Sequence, residues 1–306
     1  MFPPDRLVAE AAAAQGGAFS RAQAHAVGLS DRQLATRVRN GVLHKVGPNA
    51  FRFAGAPRST LADLSAIVLD VGAPVWVAGW TAAACYGFDW FALREPFHLM
   101  VPTNRHIVRP GVEIHRTDDT APVDTAVHLG LPITTVERTL IDLARTCRHR
   151  RLLAALDSSA RLRVLDERRL HQRIAALRSQ GKYGIPALVD VIEQREATRG
   201  SESFLETEYL LLIARAGLPR PDTQQVFDEE SGRRIRVDCR FPGTPVVVEL
   251  LGYAWHRTVA QMNTDAERYN ALLARGLRPY QFTYDQVVGA PAHVVATTRA
   301  ALRLPA

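Results

Sequence analysis

Apolar residues near the start of the chain recur at helical spacing: Leu7, Val8, Ala11, Ala12 and Ala14 share one face, and Gly16-Gly17 breaks the pattern. Phe19-Ser20 predicts the start of a second helix running through Ala26, with Gly28 as its stop. Ser30 predicts the N-cap of a third helix, Asp31 to Arg39, whose Leu34 and Val38 lie four apart and face inward. Asn40-Gly41 turns the chain into a strand, Val42 to Val46; Gly47-Pro48-Asn49 makes a tight loop, and Ala50 to Phe53 returns as the partner strand. Three helices followed by a hairpin is the order of a winged helix-turn-helix.

Further along, Ser59 to Gly72 reads as an amphipathic helix, Val75 to Ala78 as a strand and Thr81 to Gly87 as a small-residue helix. Phe97 to Val101 and Val112 to Arg116 alternate like a half-buried antiparallel pair. Gly130 to Ala144 opens as a short strand and continues as a helix capped by Thr134 or Thr135. Arg148 to Arg178 is helical, with Leu152, Leu153, Leu156, Leu165 and Leu170 on its apolar side, and Gly181 to Gly184 precedes another short helix. After the linker Arg199-Gly200-Ser201, Ser203 caps a periodic helix from Phe204 to Ala216. Strands are predicted at Gln224 to Phe227 and Arg234 to Phe241. The run Pro245 to Leu251 is apolar enough for a central strand buried on both faces. A helix from Asp265 to Ala274 and a strand from Pro279 to Tyr284 complete an α/β unit.

The expected fold class is therefore mixed α/β (α+β). Residues 1–55 form a winged helix-turn-helix, 56–147 an α+β region, 148–200 a basic helical connector and 201–306 a C-terminal α/β domain with a mixed sheet. With 306 residues, 47% hydrophobic and 23% charged, the chain is that of a folded globular protein of two or three domains. No uncharged apolar run reaches the roughly 18 residues a membrane span needs, and the N-terminus lacks the pattern of a secretion signal, so no membrane partner is expected and the cytoplasm is the expected compartment. Cys85, Cys147 and Cys239 are odd in number and far apart, which argues against a disulfide framework or a structural zinc site.

The net charge of +7 is local in origin: +4 falls in residues 1–55 and +6 in residues 148–178, against −3 in 56–147 and none in 179–306. Such surpluses suit a polyanion, though 36 Arg against two Lys also fits a coding bias. In the third helix Arg32, Gln33, Thr36, Arg37 and Arg39 have the donors to reach base edges, while Lys45 and Arg52 on the wing can meet phosphates. The alternative is a merely solvated basic face. The basic helix 148–178 is equally open between tracking phosphates and facing solvent. His98 and His115 read as lone histidines on alternating strands, with no carboxylate at ligand spacing, which disfavours a metal assignment.

The chemistry concentrates near the C-terminus. Asp238 and Glu249 fall on adjacent strands and Glu206 on the preceding helix, an oxygen-rich set of the kind that holds Mg²⁺ against a phosphodiester. His256 follows the turn after Glu249, where it can move a proton or contact a phosphate. Each acid also has a plainer reading: Glu206 as a solvated helix residue, Asp238 as an ion-pair partner of its neighbouring arginines, Glu249 as a buried, paired carboxylate.

At these residues the chain resembles a family. Ser203-Phe204-Leu205-Glu206, Val237-Asp238, Val247-Val248-Glu249 with Gly252, Tyr253 and His256, Asp265 with Arg268, and Gln281 to Tyr284 resemble the very-short-patch-repair-endonuclease-like branch of the PD-(D/E)XK nuclease superfamily. The N-terminal half, including Gly130 to Ala144, is similar to AbiEi-type antitoxin and regulator proteins. The resemblance implies a restriction-endonuclease-like C-terminal domain in which Glu206 is the helix acid, Asp238 the principal metal-binding acid, Glu249 the second, and His256 a base or phosphate contact. Mg²⁺ or Mn²⁺ would be the cofactor, DNA the partner, and a toxin or other defence-system protein a further partner. One position departs from the pattern: the superfamily's Lys two residues beyond the second acid is Leu251, and no Lys follows Lys182. His256 or Arg268 could supply that charge, or the domain could have lost its chemistry. The readings are thus a metal-dependent DNA endonuclease or an antitoxin-like repressor with a degenerate nuclease domain; an RNA substrate is disfavoured by the winged helix.

Overall fold

Side-chain caps set the first elements. In the computed structural model, which describes residues 4–178, 184–199, 204–228, 234–251 and 259–304, α1 (Pro4–Ala13) leads into β1 (Ala18–Ser20), and Ser20 and Gln23 form a reciprocal capping box at the start of α2 (Arg21–Ala26). Ser30 and Gln33 do the same for α3 (Asp31–Arg39). β2 (Leu43–Lys45) and β3 (Ala50–Phe53) make the expected hairpin. The hairpin is joined by β1, so the order is β1-β3-β2 with β3 in the centre. Val8, Ala12, Phe19, Ala24, Leu29, Leu34, Leu43 and Phe51 pack into one core beneath these elements. Phe19 is wholly buried because β1 carries it, and truncating a ring so placed costs about 3–5 kcal/mol.

Ser59 caps α4 (Thr60–Val71), which ends at Gly72 with φ +71°, a conformation only glycine adopts readily. Next come β4 (Trp76–Val77), α5 (Gly79–Cys85), β5 (Phe97–Val101), β6 (Val112–Arg116), β7 (Thr125–His128) and β8 (Leu131–Thr134). They form a five-stranded sheet in the order β6-β5-β4-β8-β7. Thr135 caps α6 (Val136–Ala144), and α7 (His149–Arg161) follows.

One expectation is overturned: β5 and β6 pair in parallel, not antiparallel. Alternation shows which residues share a face but not strand direction. The direction is set by the crossover between them, which is pinned to the end of α4. Arg105 donates to the carbonyls of Val71, Gly72 and Pro74 at 2.6–2.7 Å, and Arg109 Nε to Asp70 Oδ2 at 2.6 Å. Asp70 is only 2% exposed, and its Oδ1 also accepts from the Asn49 amide at 2.7 Å. A Cβ at Gly47 would lie 2.2 Å from Asp70 Oδ2, so the wing loop closes onto this carboxylate only with glycine there.

The chain divides into two compact units, Met1–Asp166 and Glu167–Ala306, a boundary that falls within the basic segment 148–200. The second unit holds α8 (Glu167–Arg178), α9 (Ile185–Arg199) and α10 (Phe204–Arg215), then β9 (Asp222–Asp228), β10 (Arg234–Arg240) and β11 (Val246–Leu251). α11 (Val259–Ala274), β12 (Arg278–Thr283), α12 (Tyr284–Gly289) and α13 (Pro291–Ala301) complete it. The sheet order is β12-β11-β10-β9, with β12 parallel to β11 and the other pairs antiparallel. β11 is an inner strand whose Val246, Val247 and Val248 are at most 1% exposed, as its apolar run predicts. The mixed α/β class holds throughout, and no helix among the described residues is long and apolar enough to cross a membrane.

Candidate functional site

The capping box that starts α3 also engages one of its expected base readers. Gln33 Oε1 accepts from the Ser30 amide at 2.8 Å, so that side chain is turned back on its own helix. Leu34, 1% exposed, anchors the inner face. On the outer face Arg32 is exposed and makes no ion pair among the described residues. Thr36 Oγ1 donates to the Arg32 carbonyl at 2.9 Å, and among the described residues exposed Arg39 reaches only Thr36 Oγ1, at 3.2 Å. Arg37 is held in a two-pronged pair with Asp5, at 2.7 and 2.6 Å, which keeps the Asp5 carboxyl below its ordinary value and raises that of Arg37. Lys45 stands exposed on β2.

Arg52 does not take the phosphate-facing place expected of it. β3 is the central strand, with α4 packed against it, so Arg52 is directed away from solvent. It is 8% exposed, pairs with Asp63 of α4 and donates to the Pro57 carbonyl at 2.9 Å. It fastens the wing to α4. The open cations of this face are thus Arg32, Arg39 and Lys45.

In the second unit, Asp238 and Glu249 lie one step beyond the paired residues Cys239 and Val248 of antiparallel β10 and β11. The Leu250 amide donates to Asp238 Oδ2 at 2.7 Å. Burial, with Glu249 nearby, pushes the Asp238 carboxyl above its ordinary value against the opposing pull of the Leu250 amide, Arg268 and Arg236. Glu249 is 5% exposed, and both its oxygens are engaged. Arg268 stands 2.6 Å from Oε1, off the hydrogen-bond axis, and Gln281 Nε2 donates to Oε2 at 3.1 Å. Arg268 also donates to the Arg236 carbonyl at 2.8 Å. Glu206, 8% exposed, accepts from Gln224 Nε2 at 2.8 Å. Of the two groups that could replace the missing lysine charge, Arg268 is therefore beside the second acid, while His256 lies outside the described residues, as does the expected cap Ser203.

Among the described residues, Glu206, Asp238 and Glu249 do not stand as a ready-made ion cage. The three acids do not come together as a cluster, and the most buried one already carries an internal cation. The cluster that does form is one the sequence argued against: His98, Glu113 and His115 meet in the first unit. Glu113 stands two residues from His115 on the same strand, a spacing visible in the sequence, but only the parallel register brings His98 to both.

Comparison with known families reaches most of the first unit and the start of the second. Residues 6–54 match the family described as transcriptional regulator, AbiEi antitoxin, and residues 75–184 match the AbiEi antitoxin C-terminal domain. The N-terminal half is AbiEi-like. The matched residues end at 184, so Glu206, Asp238 and Glu249 lie beyond them. Two Mycobacterium tuberculosis proteins, named uncharacterized protein MT2308 and uncharacterized protein Rv2248, are each 28% identical over 278 residues, covering 88% of this chain and 95% of theirs. Among solved structures, the crystal structure of RV2827C protein from Mycobacterium tuberculosis is similar at 16% identity and a TM-score of 0.34, over 62% of this chain and 81% of that one.

Proposed function

We propose that this protein is a DNA-binding regulator of the antitoxin type, with α3 laid in the major groove and the β2–β3 wing against the backbone. The observation that carries this reading is the pairing of an AbiEi-like winged helix with uncommitted Arg32 and Arg39 on its outer helix and Lys45 on its wing. Arg32 and Arg39 supply forked donors for guanine edges or phosphates, and Lys45 supplies a point charge. A toxin is the expected protein partner, on the strength of the antitoxin families matched by residues 6–54 and 75–184.

A second reading, a Mg²⁺-dependent DNA endonuclease using Glu206, Asp238, Glu249 and His256, is favoured by Asp238 and Glu249 lying next to the registered pair Cys239 and Val248 on adjacent β10 and β11. It requires Arg268 to leave Glu249 before an ion could use that carboxylate.

One set of experiments tests both. Mobility shifts on duplex genomic fragments should show binding that weakens with salt. Arg32→Ala with Arg39→Ala should lower affinity at least roughly tenfold and reduce the log–log salt slope by up to about 1.8. Folded protein that fails to shift DNA, or a double variant that shifts it like wild type, refutes the regulator reading. Nicking of plasmid with Mg²⁺ that disappears in Asp238→Ala and Glu249→Ala would establish the second.

A further inference from the structure

Alternation along β5 and β6 sends Phe97, Leu99 and Val101 to one face, where Val112 and Ile114 pack into the same core. His98, Glu113 and His115 consequently share the opposite face. The parallel register sets His98 beside Glu113 and Met100 beside His115, so His98 also has His115 on its diagonal. His98 Nδ1 is 2.9 Å from His115 Nε2. The Glu113 carboxylate reaches within 3.8 Å of His98 Nε2 and 3.6 Å of His115 Nε2. One donor atom from each of the three lies within 4.8 Å of the others, and no other such trio of His, Cys, Asp or Glu occurs among the described residues.

We propose that His98, Glu113 and His115 form a binding site for a divalent transition-metal ion, with Zn²⁺ the best fit. Two imidazoles and one carboxylate suit Zn²⁺, whereas Mg²⁺ and Ca²⁺ favour all-oxygen sets. The two nitrogens face each other along the line between near-parallel rings whose centroids are 5.2 Å apart, so an ion about 2.0–2.1 Å from each requires the rings both to part by about half an ångström and to turn off that line. The surroundings fix the strand that carries His98 and flank its ring. The His98 amide donates to Thr81 Oγ1 at 2.8 Å, and Trp80, tied to Thr146 through its indole N–H at 3.1 Å, lies near-parallel to the His98 ring. Both histidines line a cavity of about 160 Å³ that also takes in Thr117, Arg138 and Asp142. Of the three arginines that line it, Arg138 is matched by Asp124 and Asp142, at 3.1 and 3.0 Å, and Arg116 donates to the Arg105 carbonyl at 3.0 Å, with Arg145 beside them. With three protein donors, two of them lining the cavity, the fourth position is left for water or an exchangeable ligand. This site is independent of the DNA-binding reading.

The test is a titration of tag-free, chelator-treated full-length protein with Zn²⁺, by calorimetry and thermal melting. One equivalent should bind and raise Tm. Glu113→Gln and His115→Ala should each weaken binding at least roughly tenfold. Both side chains are on the edge strand, 53% and 39% exposed, so metal-free variants should melt like wild type, and Glu113→Gln keeps the test intact should His115→Ala misfold. Co²⁺ substitution should give tetrahedral absorption without a thiolate charge-transfer band. Absence of uptake by folded wild type, unchanged affinity in Glu113→Gln, or a thiolate band placing the ion on a cysteine would each overturn the proposal.

Discussion

On α3 Arg32 and Arg39 point outward, with no carboxylate among the described residues claiming them. At the β10–β11 pair the charges turn inward, where Glu249 is met by Arg268 and Gln281, Asp238 by the Leu250 amide and Glu206 by Gln224. Sequence alone marks both regions for polyanion chemistry, because residue types and spacing are the same whether a charge is open or already neutralised. The difference lies in partners such as Arg268 and Gln281, which are 19 and 32 residues downstream of Glu249 and reach it only through tertiary contact. A region whose charges are internally satisfied offers little to a ligand; one whose charges face water offers most of them.

The largest effect expected is the response of the second unit to acid, because it holds a buried imidazole. His171, 4% exposed and stacked on Phe204 with ring centroids 3.6 Å apart, has its imidazole pulled down to about 3 by burial. The unfolded ring keeps a value near 6.5, so between about 6.5 and about 3 the unfolded state takes up a proton that the folded state refuses. Stability should therefore fall as pH drops through that window, by up to about 1.4 kcal/mol per pH unit from this group. Hydrogen-exchange mass spectrometry reads the units separately, and His171→Leu should flatten the loss in residues 167–306. An unchanged slope would break the contrast.

Arg268→Met gives a middling effect. It strands a carboxylate that is 5% exposed, at a cost of about 2–3 kcal/mol in urea unfolding, below the usual loss for a fully buried pair because Arg268 is 34% exposed. Glu249→Gln in the same background should restore most of it, since Gln281 can still bond. No loss in the single variant would mean that Glu249 is not spent on Arg268 after all. The smallest effect sharpens the other side. Asp5→Asn should cost at most about 1 kcal/mol of stability while releasing Arg37, raising DNA affinity a few-fold and steepening the salt slope by up to about 0.9. An unchanged slope would place Arg37 off the DNA-facing surface.

The helices were largely legible because their signals are local: Ser20, Ser30, Ser59 and Thr135 each cap the helix they precede. β11 was legible from its unbroken valines. α12 and α13 were missed although Thr283 and Gln286 form a capping box that the sequence displays. β1 and β7 were missed because three or four residues cannot establish a period, and both depend on pairing with distant strands. Among site residues, Arg32, Arg39 and Lys45 stand where helix and strand periodicity put them. Arg52 does not, since its surroundings depend on α4. The His98–Glu113–His115 cluster stayed hidden for a related reason: register and strand direction are set by the pinned crossover, not by alternation.

Asp70 gives the first unit a joint. One carboxylate holds the Asn49 amide in the wing loop and Arg109 in the crossover between β5 and β6, while Arg52 ties β3 to Asp63. The wing is thus held partly from outside itself. A fragment cut after residue 55 would leave Arg52 without its acid and the Asn49 amide without its acceptor, keeping only the bonds within the loop and to Arg21. The smallest piece expected to keep the wing's shape is the whole of Met1–Asp166. Within that piece, a force on the wing loop passes through Asp70 to the loop that feeds the edge strand β6.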